Sequence, residues 1–189
     1  MRTDRTQRTR IRSRAHARGY TLVEMLVVVT MLGIIGAMII PSLSQTHVIR
    51  VQAAVRAVVS DVAFAQADAL AYQQGRAVIF DTIANSYTLC EVRGAVIDPV
   101  ADALYNQRGV GQRYTITLDE ERFGGARLDS PDFNGGDILI FDELGGPVPA
   151  PGSGELSDGG SIDIIGPGLR YRVDVRAFTG RLVVTREEG

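Results

Sequence analysis

The chain has 189 residues, 45% hydrophobic and 22% charged, enough for one apolar anchor and one modest globular domain and too few for two large domains. All twenty basic residues are arginine, and a lone cysteine, Cys90, excludes an intramolecular disulfide, so the domain must hold by burial. Charge is divided unevenly: residues 1–19 hold seven arginines and Asp4, a net of +6, which leaves −8 on residues 20–189 out of a total of −2.

Residues 1–18 read as a disordered leader, because like charges with few apolar neighbours cannot bury enough surface to offset ordering entropy. From Tyr20 to Ile40 there are 21 residues with a single charge, Glu24. At ~1.5 Å rise per residue such a helix is ~31 Å long, about the thickness of a bilayer core. Arginines beside an apolar helix hold that end in the cytoplasm, which places the acidic remainder outside. Read instead as a nucleic-acid arm, the leader would have no reason to abut an apolar helix. Glu24 costs on the order of 2.5–3.5 kcal/mol at a bilayer centre, less near its edge, and asks for a cation. A secretory signal peptide cut near Ser42-Leu43-Ser44 would have a shorter apolar core without Glu24, and a plain signal anchor leaves Glu24 unexplained.

Gly19 followed by Tyr20-Thr21-Leu22-Val23-Glu24 and the apolar run resembles the prepilin signature of type IV pilins and type II secretion pseudopilins. The resemblance implies cleavage between Gly19 and Tyr20 by a prepilin peptidase, N-methylation of Tyr20, and pairing of Glu24 with the terminal amine of a neighbouring subunit. Pro41 also stands where many pilins carry a helix-kinking proline.

Beyond Pro41, Val48, Val51, Val55, Val58, Val62, Ala65, Ala69 and Tyr72 alternate steps of three and four, the period of one helix face. Arg50, Gln52, Arg56, Asp61, Gln66 and Asp68 fall off that stripe, and Gln73-Gln74-Gly75 supplies a stop with the glycine as C-terminal signal. From Arg76 the period becomes two. Strands are expected at 76–81, 87–92, 114–118, 137–142, 161–165, 169–177 and 181–185, with a turn at Asn85-Ser86 and a tight hairpin at Thr179-Gly180. Residues 94–112 and 145–160 read as irregular, the latter rich in glycine and proline. Cys90 falls in a strand pattern, as a small core residue.

The expected fold is α+β, a long N-terminal helix, half in the membrane and half amphipathic, packed on an antiparallel β-sheet. Its divisions are a leader at 1–19, a transmembrane and assembly helix at 20–41, an amphipathic continuation at 42–75, and a periplasmic sheet domain at 76–189. Ile138-Leu139-Ile140-Phe141-Asp142-Glu143-Leu144-Gly145-Gly146-Pro147, then Ser161–Ile165 and Thr179-Gly180-Arg181-Leu182-Val183, resemble the closing pattern of the GspH/FimT minor pseudopilins. This resemblance implies a structural subunit of a type II secretion filament, single-pass in the inner membrane, with other pseudopilins, the prepilin peptidase/N-methyltransferase and membrane lipid as partners. Residues 94–136 stand outside it.

Little here suggests catalysis. His16 and His47 lie outside the sheet domain, and Asp119-Glu120-Glu121 reads as solvated turn charge rather than an acid/base couple. Neither an enzyme nor a cofactor is expected. Asp129, Asp132, Asn134 and Asp137 gather oxygen ligands in a glycine-bearing loop, a weak calcium candidate whose residues are also ordinary turn-formers. Arg170, Arg172 and Arg176 share one face of a strand, and with Arg181 and Arg186 they would make a basic hairpin. A DNA-uptake minor pilin could use that hairpin on phosphates, but Asp174, Glu187 and Glu188 balance it, so nucleic acid is not the expected partner.

Overall fold

In the computed structural model the described residues are 19–107 and 109–187, the side chains of 38–46 and 110 excepted. The expected leader, apart from Gly19, lies outside them. One helix, α1 (Leu22–Tyr72), is followed by nine strands: β1 (Arg76–Asp81), β2 (Ser86–Glu91), β3 (Thr115–Thr117), β4 (Arg127–Phe133), β5 (Ile138–Phe141), β6 (Pro147–Val148), β7 (Gly159–Gly166), β8 (Leu169–Arg176) and β9 (Leu182–Glu187). Two compact units divide the chain, residues 1–41 and 42–189.

In the first unit α1 is apolar on every described side. Leu22, Val23, Met25, Leu26, Val27, Val28 and Val29 are between 46% and 82% exposed, and Met31, Leu32, Ile34 and Ile35 are also exposed. The described side chains of this segment stop at Ala37, short of the expected end at Ile40. Among the described residues no helix is long and apolar enough to cross a membrane.

In the second unit the valine and alanine stripe does become a core face. Val51, Val55, Val58, Val62, Ala65 and Ala69 are buried, joined by Ala54; Val48 is half-buried and Tyr72 is exposed. Pro41 does not end the helix, which runs on to Tyr72. Its stop is not the expected glycine. Gln73 takes the left-handed φ of 50°, and the Gln74 N–H reaches back to the Ala69 carbonyl at 3.2 Å, closing the last turn. Gly75 serves close approach instead, since a Cβ there would stand 3.0 Å from Val92 Cβ.

All strand pairings are antiparallel, but they make two sheets where one was expected: five strands in the order β3-β2-β1-β5-β6 and four in the order β4-β7-β8-β9. Two strands had no sequence expectation, β4 within the unassigned 94–136 region and β6 within the glycine-proline stretch. β1 alternates between two cores. Val78 and Phe80 face the large core with α1, Tyr87, Leu89, Leu139, Phe141 and the inner residues Ile162, Ile164, Val173 and Val175 of the second sheet. Ala77 faces a smaller one with Cys90, Ile140 and Val148. Cys90 is buried there, and burial, with Asp102 and Asp98 nearby, pushes its thiol up to about 12.

Polar joints fix the layers. Arg76 at the start of β1 is ion-paired with Asp68 of α1 at 2.5 Å, both side chains largely buried. Gln52 donates to the Tyr171 hydroxyl at 3.2 Å, and both Tyr87 and Tyr114 donate to Asp61, at 2.6 and 2.9 Å. Asn85, buried at the β1–β2 turn with φ 49°, donates to Asp119 and the Ala126 carbonyl and accepts the Leu128 N–H.

Candidate functional site

Gly19 and Tyr20 are exposed and non-helical. The helix begins after Thr21, whose Oγ1 accepts the Glu24 N–H at 3.1 Å while its carbonyl accepts the Met25 N–H at 3.1 Å. That is N-cap geometry, and Thr21-Leu22-Val23-Glu24 has the spacing of a capping box, a helix-start signal that the sequence itself carries. Glu24 is thereby fixed in the first turn, where unpaired backbone N–H groups favour a carboxylate. Its described neighbours along the helix, Leu22, Val23, Met25, Leu26, Val27 and Val28, are exposed and apolar, and among the described residues no ion pair involves it.

The C-terminal arginines divide. On β8 the alternation holds: Leu169, Tyr171, Val173 and Val175 are buried, and Arg170, Arg172, Asp174 and Arg176 share the other face. That face already contains its counter-charge. Asp163 of β7, directly opposite Arg172 and 1% exposed, accepts from Arg170 at 2.7 Å and from Arg172 at 2.8 and 3.0 Å. Arg170 also lies 3.5 Å from Asp129, and Arg172 lies 3.0 Å from Glu187. Burial alone would raise the Asp163 carboxyl. The hydrogen bonds and charges of Arg172 and Arg170 outweigh it and hold the group below the usual carboxylate range.

Arg176 and Arg181 remain exposed, without an ion-pair partner among the described residues. Arg186 stands opposite Tyr171, on the other face from Arg170, so it does not extend the expected strip. The hairpin is also longer than expected: Arg176 N–H bonds the Arg181 carbonyl across a four-residue turn in which Phe178 has φ 62° and Gly180 has φ 63°. A Cβ on Gly180 would stand 2.5 Å from Gln66 Nε2 and 3.0 Å from Phe141, so this turn needs glycine for space as well as φ.

Gln66 is the residue the periodicity left aside. Its Nε2 donates to the Gly145 carbonyl at 2.7 Å and to the Thr179 carbonyl at 2.9 Å, tying the β5–β6 turn to the β8–β9 turn. The two glycine-bearing stretches of the closing pattern thus meet on one side chain of α1.

The oxygen-rich loop is mostly strand. Asp129 lies in β4 opposite Asp163 and Asp132 opposite Ser161, with a register shift between them; Asn134 exchanges hydrogen bonds with Ser157, and Asp137 precedes β5. Among the described residues no group of three or more His, Cys, Asp or Glu could hold a metal ion.

Residues 14–40 match the prokaryotic N-terminal methylation motif. A structure of the minor pseudopilin EpsH from the type 2 secretion system of Vibrio cholerae is similar with a TM-score of 0.51 and 13% identity, over 72% of this chain and 97% of that one. A crystal structure of the same minor pseudopilin gives 0.50 and 13%, over 72% and 95%. No curated protein matches the sequence. The chain thus joins a prepilin-type methylation motif to an α+β fold that it shares with a minor pseudopilin.

Proposed function

We propose that this chain is a minor pseudopilin, a structural and non-enzymatic subunit of a type II secretion filament. Prepilin peptidase would cut between Gly19 and Tyr20, Tyr20 would be N-methylated, and residues 20–41 would hold the mature chain in the inner membrane with the sheet domain in the periplasm. The observation that carries this is the first turn of α1: a capped start places Glu24 at the head of an apolar helix exposed on all described sides. An apolar surface of that extent needs a cover of lipid or neighbouring helices. A carboxylate within such a cover needs a positive partner, and the Tyr20 amine of an adjacent subunit, freed by cleavage, would supply it where low dielectric makes pairing matter most.

The test is coexpression with a prepilin peptidase. Mass spectrometry should find a chain beginning at methylated Tyr20, and Glu24→Ala should be inserted and cleaved normally yet enter filaments poorly. An intact leader, or a cut after Ser44, would overturn the reading. The DNA-uptake alternative draws no support from Arg170 and Arg172, whose charge is answered by Asp163 and Glu187.

A further inference from the structure

The two sheets end in four edge strands, and three of these are blunted in recognisable ways. β3 is three residues long. β6 is two residues long, begins with Pro147, and its Pro147 carbonyl is taken by the Ser157 N–H at 2.9 Å. β4 is broken by a register shift around Ser130-Pro131, and its Leu128 N–H is taken by Asn85. The fourth, β9, has six residues without proline or bulge, and its first four, Leu182-Val183-Val184-Thr185, are suited to pairing. Val184 is 44% exposed although its neighbour across the ladder, Val173, is fully buried.

The backbone groups of this edge that have no partner among the described residues define a register. Because Arg176 N–H bonds the Arg181 carbonyl, odd-numbered residues of β9 turn their backbone groups toward β8, and Leu182, Val184 and Arg186 turn theirs outward. A second β9 running antiparallel can match all three outward residues in one way, with Val184 opposite Val184 on a twofold axis and Leu182 opposite Arg186. The same register sets exposed Arg181 opposite Glu187 of the second copy, a carboxylate that Arg172 of its own chain already pairs at 3.0 Å, so at both ends of the pairing two arginines flank one carboxylate. It also keeps the core-facing side of both sheets on one side.

We propose that β9 is a self-association edge, joining two copies of this chain through antiparallel β9–β9 pairing centred on Val184. A six-residue strand contact buries less than the roughly 1,000 Å² of a stable interface, so the pairing is transient in dilute solution. It is favoured where copies are concentrated.

The test uses the full-length chain in isolated membranes under mild oxidation, with buried Cys90 left in place and the wild-type chain as control. In a hydrogen-bonded antiparallel pair the two Val184 Cα atoms are about 5.5 Å apart, inside the disulfide range. Val184→Cys should give a covalent dimer. Arg186→Cys alone should not, and Leu182→Cys/Arg186→Cys should. Adding Arg181→Glu to Val184→Cys should cut the dimer several-fold, whereas adding Arg176→Glu should leave it. A monomeric Val184→Cys chain, or equal cross-linking of Val184→Cys and Arg186→Cys, would overturn the proposal. So would a Val184→Cys adduct with a different protein.

Discussion

α1 contains two apolar regions that look alike by composition and differ in what they touch. In residues 22–35 the valines, leucines and isoleucines stand exposed around the whole circumference, while from Val51 to Ala69 a narrower stripe of valine and alanine is buried against two sheets. The first region has no polar side against which a core could be defined. The second does: Arg56 and Ser60 stay exposed, while Gln52, Asp61, Gln66 and Asp68 turn into hydrogen bonds or ion pairs with other elements. Periodicity, more than hydrophobic content, marks where the chain can satisfy itself and where it depends on something else.

Substitutions can break that contrast, beginning with the joints of the second region. Asp68→Ala leaves the Arg76 guanidinium buried without its carboxylate and should cost about 3 kcal/mol of unfolding free energy, read from urea denaturation. Val58→Ala, in the fully buried stripe, should cost about 2 kcal/mol. Val28→Ala, in the exposed run, should leave the same transition unmoved; an equal loss at both positions would erase the distinction. Gln66→Ala removes two hydrogen bonds that join separate turns and should cost about 1–2 kcal/mol.

Two titrations sharpen the picture with smaller effects. The Asp163 carboxyl is lowered in the folded state, so its contribution is complete above the unfolded value near 3.9 and is lost as pH falls below it. Asp163→Asn should flatten the pH dependence of stability in that acid window and lower stability by a constant amount at higher pH, leaving the slope there unchanged. Burial, with Asp61 beside it, pushes the Tyr114 hydroxyl up to about 12. Asp61→Asn should bring it down toward 10 in an ultraviolet titration, while Tyr87, also raised and more deeply buried, moves later.

Helix, stripe and seven of the nine strands were legible because each follows from a local period. The end of α1 was not: Gly75 looked like the stop, but Gln73 adopts the left-handed turn and Gly75 is needed against Val92. β4 was hidden because Asp129, Ser130, Pro131 and Asp132 have turn chemistry, and the strand survives them through a bulge and a partner far along the chain. The second sheet was invisible for the same reason, since its assembly depends on pairings of distant segments. Within the candidate site, residue types placed Arg170 and Arg172 on one face correctly. Their meaning turned on Asp163, one strand away, which no spacing rule connects to them.

The layout also has a kinetic side. Part of the core shared with the α1 stripe comes from Ile162, Ile164, Val173 and Val175, more than 100 positions downstream of Val51. A nascent chain that has not yet delivered Leu169 holds a finished helix and a five-stranded sheet, with one side of its stripe wet and sticky. Long-range closure of this kind is slow, and exposed intermediates associate. The domain must therefore wait for its own tail, and premature stops after β6 should yield aggregates rather than a smaller soluble fold.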